Sequence, residues 1–355
     1  MGNNIITLDT ASPHAPDAKI LIIYTGGTFG MGFSKNRILE PYNFKNILDE
    51  IPSLKSYNLI IKVYSFDIPI DSSNVSPADW VKLCIILKDH YDEFDGFVIL
   101  HGTDTMAYTA SALSFALNNL MKPVVFTGAQ LPISAPRTDA RENLLTAIEI
   151  AASKNEDGHP LVPEVCVYFN NNLIRGNRAK KVESMHFDAF ESENYPILAK
   201  SGVVIDYNFP YIKCWKSSDQ FTIDKSWETK VGYLKLFPGI TNNFVENVLK
   251  SDIKGLVLET FGSGNAMTDA NFLSMISEVI ANGLVIFNVS QCLGGRVIQG
   301  KYKTSKGLKD AGVISGKDIT SEAAITKLMY LLSKSLGNDI LKIQLSQSLK
   351  GELTD

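Results

Sequence analysis

The strongest constraint on this chain is a repeated alternation. Short runs that are apolar at nearly every position are each followed by a longer stretch of helical periodicity. Ile20–Tyr24, Leu59–Tyr64, Gly96–Leu100, Pro123–Thr127 and Val165–Asn170 are the clearest runs. A strand with one wet face alternates apolar and polar residues, whereas one that is apolar throughout is covered on both faces, as in a parallel sheet flanked by helices. The segments between the runs fit that reading. Ser76-Pro77-Ala78-Asp79 has the form of a helix start, with Ser76 to cap, Pro77 in the first turn and Asp79 able to return a bond to the cap. Trp80, Leu83, Leu87 and Tyr91 then recur at helical spacing. Thr105–Leu120 and Asp139–Ala152 are two further helix candidates. The fold class expected is α/β, with a larger N-terminal parallel-sheet domain and a smaller C-terminal α/β domain.

At 355 residues the chain exceeds the usual size of a single core, so two domains are expected. The rhythm breaks between Lys200 and about Lys230, where Pro210, Ser217 and Ser218 interrupt short apolar groups. Beyond it, Gly255–Thr260 and Leu284–Val289 read as strands, and Thr320–Leu336 as an amphipathic helix. The expected division is a polar N-terminal extension over 1–18, an α/β catalytic domain over 19–205, a connection over 206–229 and a C-terminal α/β domain over 230–355. No internal repeat is visible.

Composition excludes several functions. A net charge of −4 without a long basic run argues against a nucleic-acid surface, which needs clustered Lys and Arg. Cys84, Cys166, Cys214 and Cys292 form no CxxC pair. Met1–Ala18 is polar and lacks the charged-then-apolar pattern of a secretory signal, and no apolar run reaches the ~20 residues a membrane span requires. A cytoplasmic protein with no membrane partner is expected. His14, His90, His101, His159 and His186 lack metal-ligand spacing, so no metal is expected, and His101 reads as oriented within a turn.

The chemistry-bearing residues sit where strands end. Ile20–Tyr24 runs into Thr25-Gly26-Gly27-Thr28, Gly96–Leu100 into His101-Gly102-Thr103-Asp104-Thr105, and Val165–Phe169 into Asn170-Asn171-Asn172. Open parallel sheets bind ligands outside the carboxyl ends of their strands, so these groups are expected to converge on one crevice. Gly26 and Gly27 permit a tight turn and close backbone approach. The stretch from Gly30 to Pro41 reads as a loop able to close over a substrate.

Each motif has a plainer alternative. Thr25–Thr28 alone is more often a turn, and as a phosphate cradle it lacks the GxGxxG spacing and the Gly-Lys-Ser/Thr ending, so no nucleotide cofactor is expected. Thr103 or Asp104 alone would be a helix cap. Together, two hydroxyl-bearing glycine turns suggest nucleophilic chemistry. A threonine hydroxyl needs activation, and a lysine in such a crevice could accept a proton through Thr103. Composition does not select that lysine.

Thr25-Gly-Gly-Thr-Phe-Gly-Met31 and His101-Gly-Thr-Asp-Thr-Met106 resemble the two signatures of bacterial L-asparaginases. The second continues through Ala107–Ser111. Similarity runs from about Lys19 to the C-terminus, including Gly312-Val313-Ile314 and the closing Leu349–Thr354, and the extended match resembles the cytoplasmic, type I branch. The resemblance implies hydrolysis of L-asparagine to L-aspartate and ammonia, without a cofactor, by homodimers or homotetramers. It implies Thr28 as the nucleophile that forms an acyl-enzyme. Thr103, Asp104 and Lys181 form a second catalytic group, Lys181 being placed by Arg175-Gly-Asn-Arg-Ala-Lys-Lys181. Asp71-Ser72-Ser73 resembles the segment that grips the substrate's α-amino and α-carboxylate groups, with Asp104 pairing the ammonium; without the family it would read as a plain turn. Backbone N–H groups near Thr28 and in the Thr127-Gly128-Ala129 turn are natural oxyanion donors.

Two departures stand out. The tyrosine that many members carry in the flexible loop is displaced or absent, the stretch here reading Arg37-Ile-Leu-Glu-Pro-Tyr42. Ser290-Gln291-Cys292 resembles a segment at which some type I members bind a second asparagine, but the accompanying arginine is replaced by Glu259, and a like charge facing a carboxylate ligand is unfavourable.

Overall fold

The computed structural model describes residues 5–9, 15–33, 39–41, 51, 54, 56–216 and 220–355. They fall into two compact units, Met1–Ser192 with Pro196–Asp224, and Glu193–Tyr195 with Lys225–Asp355.

The first unit carries strands β1 (Ile5–Asp9), β2 (Ala18–Gly26), β3 (Met31–Phe33), β4 (Leu39–Pro41), β5 (Leu59–Ile70), β6 (Gly96–Leu100), β7 (Leu117–Asn118), β8 (Val124–Thr127), β9 (Val165–Phe169), β10 (Asn172–Arg175), β11 (Lys180–Lys181), β12 (Phe190–Glu191), β13 (Ala199–Ser201), β14 (Ile205–Tyr207) and β15 (Thr222–Ile223). Its helices are α1 (Pro77–Asp89), α2 (Met106–Ala116) and α3 (Ala140–Ala152). Nine strands form one sheet in the order β1-β5-β2-β6-β8-β9-β10-β13-β14. Its centre, β5-β2-β6-β8-β9, is parallel throughout. Every residue of β6, β8 and β9 is buried, which is why these strands read as continuous apolar runs. Helix α3 packs closely enough on β6 that a Cβ on Gly96 would lie 2.2 Å from the Ala151 carbonyl oxygen.

Local chemistry explains several boundaries. At the start of α1, the Asp79 carboxylate accepts from the Ser76 N–H at 2.9 Å and from the Ser76 hydroxyl at 2.7 Å. Helix α2 stops at Ala116, short of the expected Leu120, because Leu117 turns extended, Asn119 has a φ of 55°, and β7 pairs instead with β15. Asn170 and Asn171 are not a strand end opening on a crevice. Both have positive φ, and they form the two-residue turn joining β9 to antiparallel β10. Asparagine tolerates the left-handed region, and this loop length demands it twice. Within the polar N-terminal extension, Ile5–Asp9 adds an antiparallel edge strand to β5. The stretch read as a connection contains β14, on the far edge of the sheet, and β15. The Gly30–Pro41 stretch contains β3 and β4 as an antiparallel pair. Tyr42, which closes the Arg37–Tyr42 stretch, lies outside the described residues.

The second unit has a four-stranded, all-parallel sheet of β16 (Val231–Lys235), β17 (Gly255–Thr260), β18 (Val285–Ser290) and β19 (Ile314–Ser315). Helices α4 (Asn242–Leu249), α5 (Ala270–Ala281), α6 (Lys303–Asp310), α7 (Ser321–Leu332) and α8 (Asn338–Ser346) accompany it. Its core includes Leu234, Leu256, Leu258, Phe272, Ile276 and Ile286. Among the described residues, no helix is long and apolar enough to cross a membrane.

Candidate active site

The order β5-β2-β6-β8 means that the chain leaves β2 toward one side of the sheet and β6 toward the other. That divergence opens a crevice beyond the carboxyl ends of β2 and β6, the place where open α/β sheets bind ligands. Thr25 and Gly26 end β2 and Gly27-Thr28 follow it, while His101–Asp104 follows β6.

Glycines pull three segments into direct contact there. Gly26 and Gly27 have φ values of 136° and 85°. A Cβ on Gly26 would lie 2.2 Å from the Ile70 carbonyl oxygen, and one on Gly27 would lie 2.5 Å from the Gly102 Cα. A Cβ on Gly102 would lie 2.6 Å from the Ser72 Oγ. No side chain larger than hydrogen fits at Gly26 or Gly27 without displacing backbone, or at Gly102 without displacing Ser72. The Thr28 turn, the Thr103–Asp104 turn and Asp71-Ser72-Ser73 are therefore stacked together. The last is brought in because β5 runs on to Ile70, beyond the Tyr64 expected from sequence.

The two threonines of the first motif differ in environment. Thr25 is buried and its hydroxyl donates to the Leu100 carbonyl at 2.9 Å, tying β2 to β6. Thr28 is half-buried and opens the short 3-10 turn Thr28–Gly30. Lys181 lies on β11, which pairs with β12 in the register Lys181–Phe190. Its Nζ donates to Thr103 Oγ1 and to Asp104 Oδ1, both at 2.7 Å. Neighbouring residues on a strand project to opposite faces, so Lys181 occupies a place that Lys180 does not reach. The Lys181 side chain is 17% exposed and that of Asp104 is 65% exposed, so the carboxylate holds the lysine while still open to a second cation.

Asp71 caps the 3-10 turn Ser72–Asn74, accepting from the Ser73 N–H at 3.0 Å and the Ser73 hydroxyl at 2.7 Å. Those donors hold its carboxyl below the usual carboxylate range. Ser72 is buried and its carbonyl accepts the Thr105 hydroxyl at 2.7 Å.

Supporting groups complete the site: His101, read from sequence as oriented within a turn, and Trp80, Thr109 and Gln130, to which sequence reasoning gave no role in the site. The His101 Nδ1 is 2.7 Å from the Gly102 carbonyl, and its Nε2 is 3.0 Å from the Thr109 hydroxyl oxygen. The Trp80 indole N–H donates to that same hydroxyl at 3.2 Å. Burial pushes His101 down to about 4, so the ring is neutral. The bonding then fixes one tautomer, with Nδ1–H donating to Gly102 and Nε2 accepting from Thr109. Gln130, one residue past the Thr127-Gly128-Ala129 turn, accepts from the Thr103 hydroxyl at 3.3 Å. Only its adjacency to that turn pointed toward it.

In the second unit, Glu259 is buried on β17 with Lys235 Nζ at 3.5 Å. The Gln291 amide donates to the backbone carbonyls of Leu236 and Glu259. A cavity of about 620 Å³ in that unit is walled by Leu249, Ile253, Met275, Leu284, Leu332 and Leu341. Glu246, Lys250, Lys254 and Glu278 also line it, and it contains none of the motif residues, so it is not the candidate site.

Two family descriptions cover most of the chain: "Asparaginase, N-terminal" matches residues 19–212, and "Glutaminase/Asparaginase C-terminal domain" matches residues 230–344. L-asparaginase 1 of Escherichia coli K12 is 40% identical over 94% of this chain and 98% of its own length. The human 60 kDa lysophospholipase is 39% identical over 96% of this chain, which spans 62% of that longer protein. The crystal structure of L-asparaginase I from Vibrio cholerae superposes with a TM-score of 0.87 at 39% identity, covering 96% of this chain and all of that one.

Proposed function

The chain belongs to the asparaginase family, and from that premise we propose that it hydrolyses L-asparagine to L-aspartate and ammonia through an acyl-enzyme on Thr28. The observation that carries the residue assignment is the convergence of Lys181 on Thr103 and Asp104, beside the stacked glycine turns that hold Thr28. In this reading the Thr28 Oγ attacks the side-chain carbonyl carbon and loses its proton. Backbone N–H groups of the Thr28 and Thr127–Ala129 turns stabilise the oxyanion. The C–N bond breaks as the leaving nitrogen takes a proton and departs as ammonia. Water then adds to the ester, releasing aspartate and returning the proton to Thr28. Thr103 and Lys181 handle protons during these steps.

Asp104 takes the substrate's α-ammonium, for which its exposed carboxylate suits it, and Asp71, Ser72 and Ser73 grip the α-amino and α-carboxylate groups. An ionised Asp71 fits a cationic partner. All these residues fall in the proposed catalytic domain over 19–205, joined by the 206–229 connection to the domain over 230–355. Cytoplasmic homodimers or homotetramers are part of the same reading. A second asparagine site near Ser290–Cys292 is not part of it, since Glu259 stands where the resemblance expects an arginine to pair with the ligand's carboxylate.

The test is Thr28→Ala, assayed for ammonia release from asparagine and, in parallel, from glutamine. Loss of nearly all activity with an unchanged melting temperature is expected. Full activity in the folded variant overturns Thr28 as nucleophile, and wild-type preference for glutamine overturns the substrate.

A further inference from the structure

The hydroxyl of Thr103 has two polar neighbours with opposite demands. Lys181, as an ammonium, can only donate, so at 2.7 Å the Thr103 oxygen accepts from it. The Thr103 proton must then point elsewhere, and the Gln130 Oε1 receives it at 3.3 Å. A glutamine side chain has an acceptor end and a donor end, and which end faces Thr103 is decided at the other side of the amide. There the Gln130 Nε2 donates to the His186 carbonyl at 3.0 Å. Flipping the amide would set two oxygens against each other at His186 and two donors against each other at Thr103. The chain Lys181 to Thr103 to Gln130 to His186 therefore has one internally consistent direction.

Gln130 is itself fixed. Its backbone N–H donates to both Asp139 carboxylate oxygens, at 3.1 and 3.0 Å. Asp139 also accepts from the Leu131 N–H at 3.1 Å, and the Thr138 hydroxyl donates to the Leu131 carbonyl at 3.1 Å. The turn cannot move away at Gly128, where the Asn143 amide donates to its carbonyl at 3.1 Å. Three anchors from the start of α3 thus aim one side chain at Thr103.

We infer that Gln130 is a positioning residue: oriented by the His186 carbonyl, it directs the Thr103 hydroxyl proton away from Lys181 and keeps the oxygen's lone pair on the lysine. This inference rests on the role given to Thr103 and Lys181 above. Gln130 acts through Thr103, so its contribution should disappear when Thr103 cannot respond.

A double-variant cycle tests this. Gln130→Leu should lower kcat by about tenfold, the scale of one hydrogen bond to a polar group held in place, and leave KM within about twofold. In a Thr103→Val background the same change should alter the residual rate by less than about twofold, because the partner is gone. A purely structural role for Gln130 gives losses that multiply in the double variant, and that result overturns the inference. So does a single variant with unchanged kcat. If Gln130→Leu does not fold, Gln130→Met, of similar length and volume, makes the same comparison. Full activity in Thr103→Val strikes at the assigned role of Thr103 itself. Loss in that variant with no effect of Gln130 overturns only the inference.

Discussion

The ammonium of Lys181 sits 2.7 Å from the Thr103 hydroxyl oxygen, although 78 residues of chain separate the two. Its neighbour Lys180 is one residue away in sequence and on the opposite face of the same short strand. Lys181→Met should therefore lower kcat by roughly 10²- to 10⁴-fold, the range for removing a group that handles a proton. Lys180→Met should lower kcat far less, because a side chain on the other face of the strand does not reach Thr103 and Asp104. Steady-state ammonia release from both variants decides it, and reversed results would shift the lysine assignment by one residue.

Gly102 offers a sharper test of how the site is assembled. A Cβ there would lie 2.6 Å from the Ser72 Oγ and 2.7 Å from the Ser72 Cβ, so Ser72 must shift, while the Gly27 Cα at 3.4 Å stays in ordinary contact. Gly102→Ala should leave a folded protein with stability lowered by about 1–3 kcal/mol. Its kcat/KM should fall by about 10²-fold, because a displacement near 1 Å separates the groups that grip substrate from those that react with it. Activity close to wild type would mean that the contact between the turns does not set catalytic geometry.

Burial keeps His101 neutral, outweighing the Gly102 carbonyl bond that favours the protonated ring, and pushes its ionisation from the ordinary 6.5 down to about 4. The unfolded chain then binds a proton between those values that the folded protein refuses. Stability attributable to this residue is intact above pH 6.5 and declines as pH falls toward 4, by about 3 kcal/mol in all. Carboxylates also lose their ionisation in this range, so the comparison must be with His101→Gln. The variant should be less stable at pH 7.5, having lost a matched donor and acceptor, and the difference should shrink as pH is lowered to 4.5. Denaturant midpoints across that range check the convergence; a constant or widening gap would contradict it.

The parallel centre of the first sheet was legible because β6, β8 and β9 are covered on both faces, and that leaves a mark in every residue of Gly96–Leu100, Val124–Thr127 and Val165–Phe169. Strand-end motifs at Thr25–Thr28 and His101–Asp104 were legible for the same reason: topology alone places them at the crevice. Asn170–Asn171 looked similar but is a hairpin turn, and its paired asparagines were the signal of that. Gln130 and the Trp80–Thr109–His101 chain were not legible. Their roles depend on which way a side chain points after distant segments have packed, and no spacing encodes that. β1 was hidden in a polar extension because a single five-residue edge strand, Ile5–Asp9, has no alternating helix and strand pattern around it to mark it.

The closing Leu349–Thr354 segment, part of the second unit, has a structural use. Lys327 on α7 and Glu352 are both fully buried, 2.7 Å apart. Lys327 also donates to the Leu345 and Gln347 carbonyls at 3.0 and 2.6 Å, while Glu352 accepts from the backbone N–H groups of Leu349 and Lys350. Burial pushes the Lys327 ammonium below its ordinary range, and Glu352 pulls it back. The C-terminal turn is thus folded around one charge and pinned to another element by it. Thr354 adds a second tie, donating through both its N–H and its hydroxyl to Asp318. Removing one partner strands the other charge away from water, so Glu352→Leu or Lys327→Met should each cost about 3–5 kcal/mol. The double variant should recover much of that loss, since two apolar side chains leave no buried charge unpaired. Urea midpoints of the three variants test this. Single-variant losses below about 1 kcal/mol would mean that the tail is held by its backbone bonds and the Asp318–Thr354 tie rather than by the ion pair.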